Sequence, residues 1–174
     1  MTFKEYVQQL FDGVPQDVYL LLLAIFCLGT LLLTTFRGVR LGGRNAMALL
    51  LAEYVFLLLG STVVFRETNT EVGHNLMPFW SYVEIYHGDE QGLLQQNIMN
   101  VVVFMPVGLL LGVTFRSMNW WKAGLAGCCI SLLIEILQYV FKRGFSEFDD
   151  IFHNVIGCMI GYAVSLIVNR KCSE

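Results

Sequence analysis

The residues best suited to chemistry lie close together, between positions 135 and 154 of the 174-residue chain. Three carboxylic acids in this stretch are candidate catalytic groups, Glu135, Asp149 and Asp150. A carboxyl group in a water-poor site can act as a general acid or base. With His153, the same carboxylates can instead hold a divalent cation, since oxygen and imidazole ligands suit several such ions. The spacing matches no specific metal motif, so we assign no metal ligand and no cofactor.

Amide, basic and aromatic side chains form a second group of candidate residues, for ligand binding. Arginine and lysine pair with phosphate, and amides both donate and accept hydrogen bonds. An ionisable side chain within a membrane-spanning segment indicates a functional site by default. The group consists of Asn100, Gln138, Lys142, Arg143, Asn154, Phe79 and Trp80.

The composition around these residues is that of a membrane protein. Hydrophobic residues make up 56% of the chain and charged residues 14%, with a mean hydropathy of +0.61. Soluble domains contain about 25% charged residues. The length fits a single domain over residues 1–174, with a motif-bearing core at residues 75–161. The net charge of −3 gives no reason to expect a nucleic-acid partner.

Five apolar stretches are long enough to cross a bilayer, which requires about 20 mostly apolar residues. They cover residues 18–36, 45–65, 98–115, 122–141 and 151–168. The sequence therefore predicts an all-α, polytopic membrane helix bundle with about five transmembrane helices. The second span contains Glu53, for which a functional role and a structural hydrogen bond are equally open.

Basic residues predict the orientation of these spans, because Lys and Arg accumulate on the cytoplasmic side. Seven of them fall on one side of the predicted membrane: Arg37, Arg40, Arg44, Arg116, Lys122, Arg170 and Lys171. The other four fall on the opposite side: Lys4, Arg66, Lys142 and Arg143. This bias predicts an external N-terminus and a cytoplasmic C-terminus.

Two segments outside the spans have the pattern of helices lying in the membrane interface. Residues 3–11 alternate apolar and polar side chains at helical spacing, which predicts an N-terminal interfacial helix. In the external loop at residues 66–96, Pro78 precedes Phe79, Tyr82 and Tyr86, which share one helical face. We expect this aromatic segment to lie at head-group depth as a lid.

Small and polar residues share a narrow stripe on each of the last two spans. On span four the stripe contains Gly124, Gly127, Ser131, Glu135, Gln138 and Lys142. On span five it contains Asp150, Asn154, Gly157, Gly161 and Ser165. Because lipid cannot satisfy polar groups, we expect these two stripes to pack against each other. Span three repeats the glycine spacing at Gly108 and Gly112. The topology would place the polar ends in an external-facing pocket.

Short motifs follow one another in a fixed order along the core. They are Asn75-Leu76-x-Pro78-Phe79, Asn100-x-x-x-Phe104-x-Pro106-x-Gly108, Glu135-x-x-Gln138, and Arg143 followed by Asp149-Asp150-x-x-x-Asn154-x-x-Gly157-x-x-x-Gly161. In this order they resemble the VanZ-like family of integral membrane proteins, named for a protein associated with teicoplanin resistance. The resemblance implies a multi-pass protein of the bacterial plasma membrane and cell envelope.

Three functions are compatible with these patterns. The leading hypothesis is a contribution to teicoplanin or lipoglycopeptide antibiotic resistance, through an external pocket that binds a lipid or the acyl anchor of the drug. Its partners would be membrane lipids, the antibiotic or a cell-wall lipid precursor. The alternative is a membrane enzyme acting on lipid head groups or polyprenyl phosphates, with Glu135 and Asp150 in acid–base or metal-assisted chemistry. A third hypothesis is a structural protein whose polar stripes only join helices.

Overall fold

The computed structural model describes residues 43–64, residue Arg66, residues 73–88 and residues 91–171. Among these residues, four helices are long and apolar enough to cross a membrane: Gly43–Val64, Gly92–Thr114, Trp120–Phe141 and Phe148–Asn169. They coincide with the second to fifth predicted spans and confirm the polytopic helix bundle. The predicted first span and the N-terminal interfacial helix lie outside the described residues.

The described elements follow one another as a set of long helices with short segments between them. Helix α1 is Gly43–Leu59, continued by a π-helical turn at Gly60–Val64. Strand β1 is Gly73–Asn75, α2 is Trp80–Tyr86 and α3 is Gln91–Thr114. Helix α4 is Trp120–Phe141, β2 is Phe145–Glu147 and α5 is Phe148–Lys171.

Helices α3 and α5 pack with their backbones in direct contact. A Cβ atom on Gly157 would collide with the carbonyl of Val101, and one on Gly161 would collide with the carbonyl of Met105. From the other side, Gly108 faces the carbonyl of Cys158 in the same way. Small residues permit such close approach between membrane helices.

This contact corrects the predicted partner of the glycines on α5, which pack against α3 rather than α4. The reason is that α3 and α5 both carry glycines spaced four apart, so both surfaces lack side chains. Helix α4 meets α5 differently, since Gly127 faces the side chain of Cys158. The polar part of the predicted contact is present, because Asn154 Nδ2 donates to Ser131 Oγ over 2.8 Å.

Helix α1 completes the bundle through an apolar core that it shares with α3, α4 and α5. The core consists of Leu58, Val63, Phe104, Val107, Leu111, Ile134, Phe141 and Cys158. Tyr54 also donates its hydroxyl proton to the carbonyl of Val103 over 2.7 Å. That carbonyl lies next to the one of Val102, which Pro106 leaves without its intrahelical donor. A polar contact thus ties α1 to α3 at the proline.

Two short strands hold residues 73–75 against the link between α4 and α5. Strands β1 and β2 pair in parallel, with His74 opposite Ser146 and Asn75 opposite Glu147. The all-α prediction did not include this pair. Its consequence is that the segment leading into α2 starts beside the residues that open α5.

Helix α2 confirms the short helix predicted after Pro78. It begins at Trp80, and Phe79 precedes it in the left-handed conformation at φ 60°. Phe79, Tyr82 and Tyr86 are exposed, and their location at head-group depth stays a prediction.

Candidate functional site

A polar cavity of about 250 Å³ lies where α1 ends and α5 begins. Five of the predicted site residues line it: Asn100, Glu135, Gln138, Asp150 and Asn154. They come from three helices, at spacings of three or four residues along α4 and α5, which place each pair on one helical face. The predicted convergence of span three, span four and span five on one pocket is therefore present in the fold.

Asp150 accepts two hydrogen bonds from α3 in the cavity. Its Oδ1 accepts from Asn100 Nδ2 over 2.7 Å and from Gln96 Nε2 over 3.2 Å. Gln96 and Asn100 lie one turn apart on α3, so this helix presents two amide donors to one carboxyl group. Gln96 Nε2 also lies 3.4 Å from Glu147 Oε2, which connects Asp150 to a second acid.

Glu135 is held by the chain that follows its own helix. The backbone N–H of Glu147 donates to Glu135 Oε2 over 3.0 Å. Glu135 is buried within a helix that is long and apolar enough to cross a membrane. A buried carboxyl group normally needs partners, and the strand β2 supplies one.

Glu147 adds a third acid beside the cavity. It is only 7% exposed. Burial raises the pKa of Glu147 to about 7, the carboxylates of Asp150 and Asp149 act in the same direction, and Arg66 opposes them. Glu147 therefore titrates near neutral pH. Its side chain lies within hydrogen-bonding distance of Gln96, and its backbone N–H donates to Glu135.

Gln138 has one half of its amide satisfied and the other half unpaired. Its Nε2 donates to the carbonyl of Thr62 over 3.1 Å. Its Oε1 is buried and has no hydrogen-bond partner in the part of the chain that the structure describes. Since Thr62 offers a carbonyl, which can only accept, the amide orientation is fixed and the unpaired atom is the acceptor.

The two basic residues predicted for ligand binding lie beside the cavity and do not line it. Arg143 is 6% exposed, and its guanidinium donates to the carbonyls of Val63 and Val64 at the end of α1. A cation there satisfies unpaired carbonyls and complements the helix dipole. Lys142 ends α4 in the left-handed conformation, with φ 54°.

Asp149 also points away from the cavity and holds α2 in place. Its carboxylate accepts from the backbone N–H of Phe79 over 2.6 Å and from that of Ser81 over 3.0 Å. The Ser81 hydroxyl donates to it over 2.6 Å and itself accepts from Asn97 Nδ2 over 3.1 Å. Asp149 is fully buried. Asp149, a candidate catalytic group by sequence, therefore caps the start of α2 and does not line the cavity.

The aromatic residues predicted for ligand binding form a cluster around the start of α5. Phe79 packs edge-on against Phe152, with ring centroids 5.1 Å apart. Trp80 is half-buried, and its Nε1 lacks a hydrogen-bond partner among the described residues. Neither Phe79 nor Trp80 lines the cavity. They could therefore touch only a part of a ligand that extends beyond the cavity.

His153 lies in this cluster as part of a hydrogen-bonded chain. Its Nδ1 lies 2.6 Å from the carbonyl of Asp149, and its Nε2 lies 2.7 Å from the hydroxyl of Tyr82. Because the carbonyl can only accept, a neutral His153 carries its proton on Nδ1 and accepts from Tyr82. Among the described residues, no three His, Cys, Asp or Glu side chains are grouped so that they could hold a metal ion.

Comparison with known proteins identifies the family. Residues 45–169 match the VanZ/LLP1 family, which is well over half of the chain. The chain belongs to the VanZ/LLP1 family. All five cavity residues named above fall inside the matched region. With the four apolar helices, family membership makes it a multi-pass bacterial membrane protein.

The chain is also similar to Protein VanZ of Enterococcus faecium, with 29% identity over 83 residues. This covers 48% of the chain and 52% of that protein, so the chain spans about half the length of its VanZ relative. No solved structure matches the chain.

Sequence reasoning missed four residues that shape this VanZ/LLP1 site. Gln96 lies one helical turn before Asn100 on the same face of α3. The predicted span began only at residue 98, whereas α3 begins at Gln91, so Gln96 was left out. Thr62 and Ser61 line the cavity from the π-helical turn, which has no pattern of its own. Arg66 also lines it, but follows the end of α1 in a segment without periodicity.

Proposed function

We propose that this VanZ/LLP1 protein lowers the susceptibility of its host to teicoplanin-type lipoglycopeptides by binding a membrane lipid at the outer leaflet. The observation that carries the proposal is the convergence of five polar side chains, all within the region that matches the family, on one cavity between membrane-spanning helices. Such residues are rare in bilayers and mark ligand or ion pathways. The bias of basic residues supports an external position for this end of the bundle.

The size and lining of the cavity favour a lipid head group over a whole lipoglycopeptide or an acyl chain. Its volume of about 250 Å³ is below the range of about 300–1,000 Å³ typical of sites for drug-sized molecules. A whole lipoglycopeptide is too large for it. An acyl chain would lie against carboxyl and amide groups, whose burial without hydrogen bonds is unfavourable. A head group offers both small size and polar atoms.

The proposal is tested by producing the full chain in a teicoplanin-susceptible bacterium and measuring the minimal inhibitory concentration. We expect a rise for teicoplanin and little change for a glycopeptide that lacks an acyl chain. Membrane insertion is verified in the same cells by detecting the protein in the membrane fraction. An inserted protein that leaves teicoplanin susceptibility unchanged would refute the proposal.

The proposed orientation has its own test in a cysteine-free background. Tyr86 is 87% exposed beside the cavity end, and Trp121 is 88% exposed at the opposite end. We expect a membrane-impermeant maleimide to label Tyr86→Cys in intact cells or spheroplasts, and to label Trp121→Cys only after permeabilisation. The reverse pattern would place the cavity at the inner leaflet and contradict the outer-leaflet mechanism.

An enzymatic function is the second candidate, because two carboxyl groups, Glu135 and Asp150, line the same cavity. Paired carboxyl groups can share the roles of general acid and base. The test is incubation of the purified protein with lipids and polyprenyl phosphates, followed by mass spectrometry of the lipids. A new product that is lost in Glu135→Gln would establish an enzyme. Binding without a product would favour the lipid-binding function.

A further inference from the structure

Acidic residues outnumber basic residues in and around the cavity. Glu135 and Asp150 line it, and Glu147 is connected to both through hydrogen bonds. Arg66 is the one basic residue among the described residues that line the cavity. The guanidinium of Arg143 is turned toward the carbonyls of α1. The hydrogen bonds from Asn100 and Gln96 satisfy one oxygen of Asp150 without neutralising any charge.

The unpaired oxygen of Gln138 is an independent indication of a ligand. Gln138 is 4% exposed and lines the cavity, and its Oε1 is the buried acceptor without a donor described above. Leaving a buried acceptor unpaired costs about 1–3 kcal/mol. A native fold avoids this cost when a bound molecule supplies the donor. A group that pairs with this acceptor must be a hydrogen-bond donor, and the surrounding carboxyl groups favour one with positive charge.

We propose that the cavity binds a zwitterionic head group in which a primary ammonium is joined to a phosphodiester, as in an aminophospholipid. The ammonium donates to Gln138 Oε1 and pairs with the carboxylates of Glu135 and Asp150. The phosphodiester pairs with Arg66, which is exposed at the edge of the cavity. This inference rests on the proposed function, since it names the class of lipid that the same cavity takes.

Three donors and one positive charge distinguish the ammonium from other head groups. A quaternary ammonium has the charge but no N–H, so it leaves Gln138 Oε1 unpaired. A glycerol or sugar head group has donors but does not neutralise the carboxylates. A free phosphate can pair with Arg66 alone and would meet the carboxyl groups with like charge.

The test uses short-chain lipids and the purified full chain in a non-ionic detergent. Dihexanoyl phosphatidylethanolamine, phosphatidylcholine and phosphatidylglycerol are titrated separately, and binding is measured by native mass spectrometry and by the shift in melting temperature. Charged hydrogen bonds contribute about 1.5–3 kcal/mol, so the ethanolamine lipid should bind at least about tenfold more tightly than the other two. Inorganic phosphate should produce no comparable shift.

Variants connect this selectivity to the cavity. Gln138→Met and Asp150→Asn should each reduce the preference for the ethanolamine lipid by about tenfold or more. Gln95→Met is the matched control, because Gln95 is exposed on α3 and does not line the cavity, and it should keep the preference. Melting temperatures without lipid show that each variant is folded.

The outcomes separate this inference from the proposed function. Equal binding of all three lipids, weakened alike by Asp150→Asn, would overturn the ammonium assignment and leave lipid binding in the cavity intact. Tighter binding of phosphatidylglycerol or phosphatidylcholine would also overturn it. Absence of binding by every lipid would contradict both proposals. Selective binding by a protein that confers no teicoplanin protection would support the ammonium site and refute only the antibiotic role.

Discussion

Helix α5 contributes to two regions of opposite character, one without side chains and one rich in polar side chains. At Gly157 and Gly161 it has no side chains, and its backbone packs directly on the carbonyls of α3. One and two turns earlier, Asn154 and Asp150 line a polar cavity. The first region is filled by direct contact between the two backbones. The second keeps its polar groups by hydrogen bonds among side chains and still leaves one acceptor unpaired.

The difference indicates that the two regions have separate tasks. The glycine contact fixes the distance between α3 and α5, and thereby the distance between Asn100 and Asp150, which is 2.7 Å between the bonded atoms. The cavity is more polar than helix association requires. Substitutions at the glycines should therefore destroy the fold, whereas conservative substitutions in the cavity should spare it.

The largest effect is expected for Gly157→Val. The new side chain would overlap the backbone of Val101, which cannot move without separating the helices. The cost is on the order of 3 kcal/mol, enough to deplete folded protein. Size-exclusion chromatography and the melting temperature in detergent measure this loss. Gly92→Ala is the control, because a Cβ at Gly92 meets open space, and a stable Gly157→Val would disprove the close contact.

The next effect is expected for Asp149→Ala, which removes the anchor of α2. Three hydrogen bonds to Phe79 and Ser81 are lost, two of them from backbone N–H groups. Charged hydrogen bonds contribute about 1.5–3 kcal/mol each, but this loss falls on α2 alone, so α2 should detach while the long helices keep their global stability. Hydrogen exchange should accelerate at residues 80–86 and not in α4. Unchanged exchange in α2 would show that the aromatic contacts hold it without Asp149.

A smaller effect concerns pH and Glu147. Its pKa is raised from 4.5 to about 7 in the fold, so the folded state holds a proton that the unfolded state has lost between these values. Stability should therefore be highest below about pH 4.5 and decrease as pH rises through about 7, by roughly 1–3 kcal/mol. Melting temperatures from pH 4.5 to pH 8 should show a shallower slope for Glu147→Gln than for the native protein. Identical slopes would exclude this contribution.

The smallest effect is expected for Tyr82→Phe. This change removes one hydrogen bond, to His153 Nε2, and keeps the aromatic ring beside Phe79. A single hydrogen bond contributes about 1 kcal/mol, and Tyr82 is 46% exposed, so water can replace it. The melting temperature should fall by a few degrees at most. A loss comparable to that of Asp149→Ala would mean that the Tyr82–His153 pair, too, anchors α2.

The sequence was sufficient for the second to fifth spans and the short helix after Pro78, because helical periodicity and hydropathy are local properties. Periodicity also put on shared faces the five predicted residues that line the cavity, while their role stays a prediction. The sequence was not sufficient for contacts that depend on tertiary packing. Strands β1 and β2 have three residues each and no alternating pattern. Asp149 caps a helix whose Ser81 lies 68 positions away in the chain, a contact that no local pattern indicates. Predicting that Gly157 packs against α3 requires a comparison of the surfaces of α3 and α4, which the pattern along α5 does not provide.

We propose that the cavity serves function and is not needed for folding, and Glu135→Gln tests this most directly. The substitution keeps the shape and the acceptor for the Glu147 N–H while removing the negative charge. Glu84→Gln, on the exposed surface of α2, is the matched control. We expect Glu135→Gln to keep its membrane level and melting temperature within a few degrees but to lose teicoplanin protection, which Glu84→Gln retains. A folded Glu135→Gln protein with full protection would contradict the account.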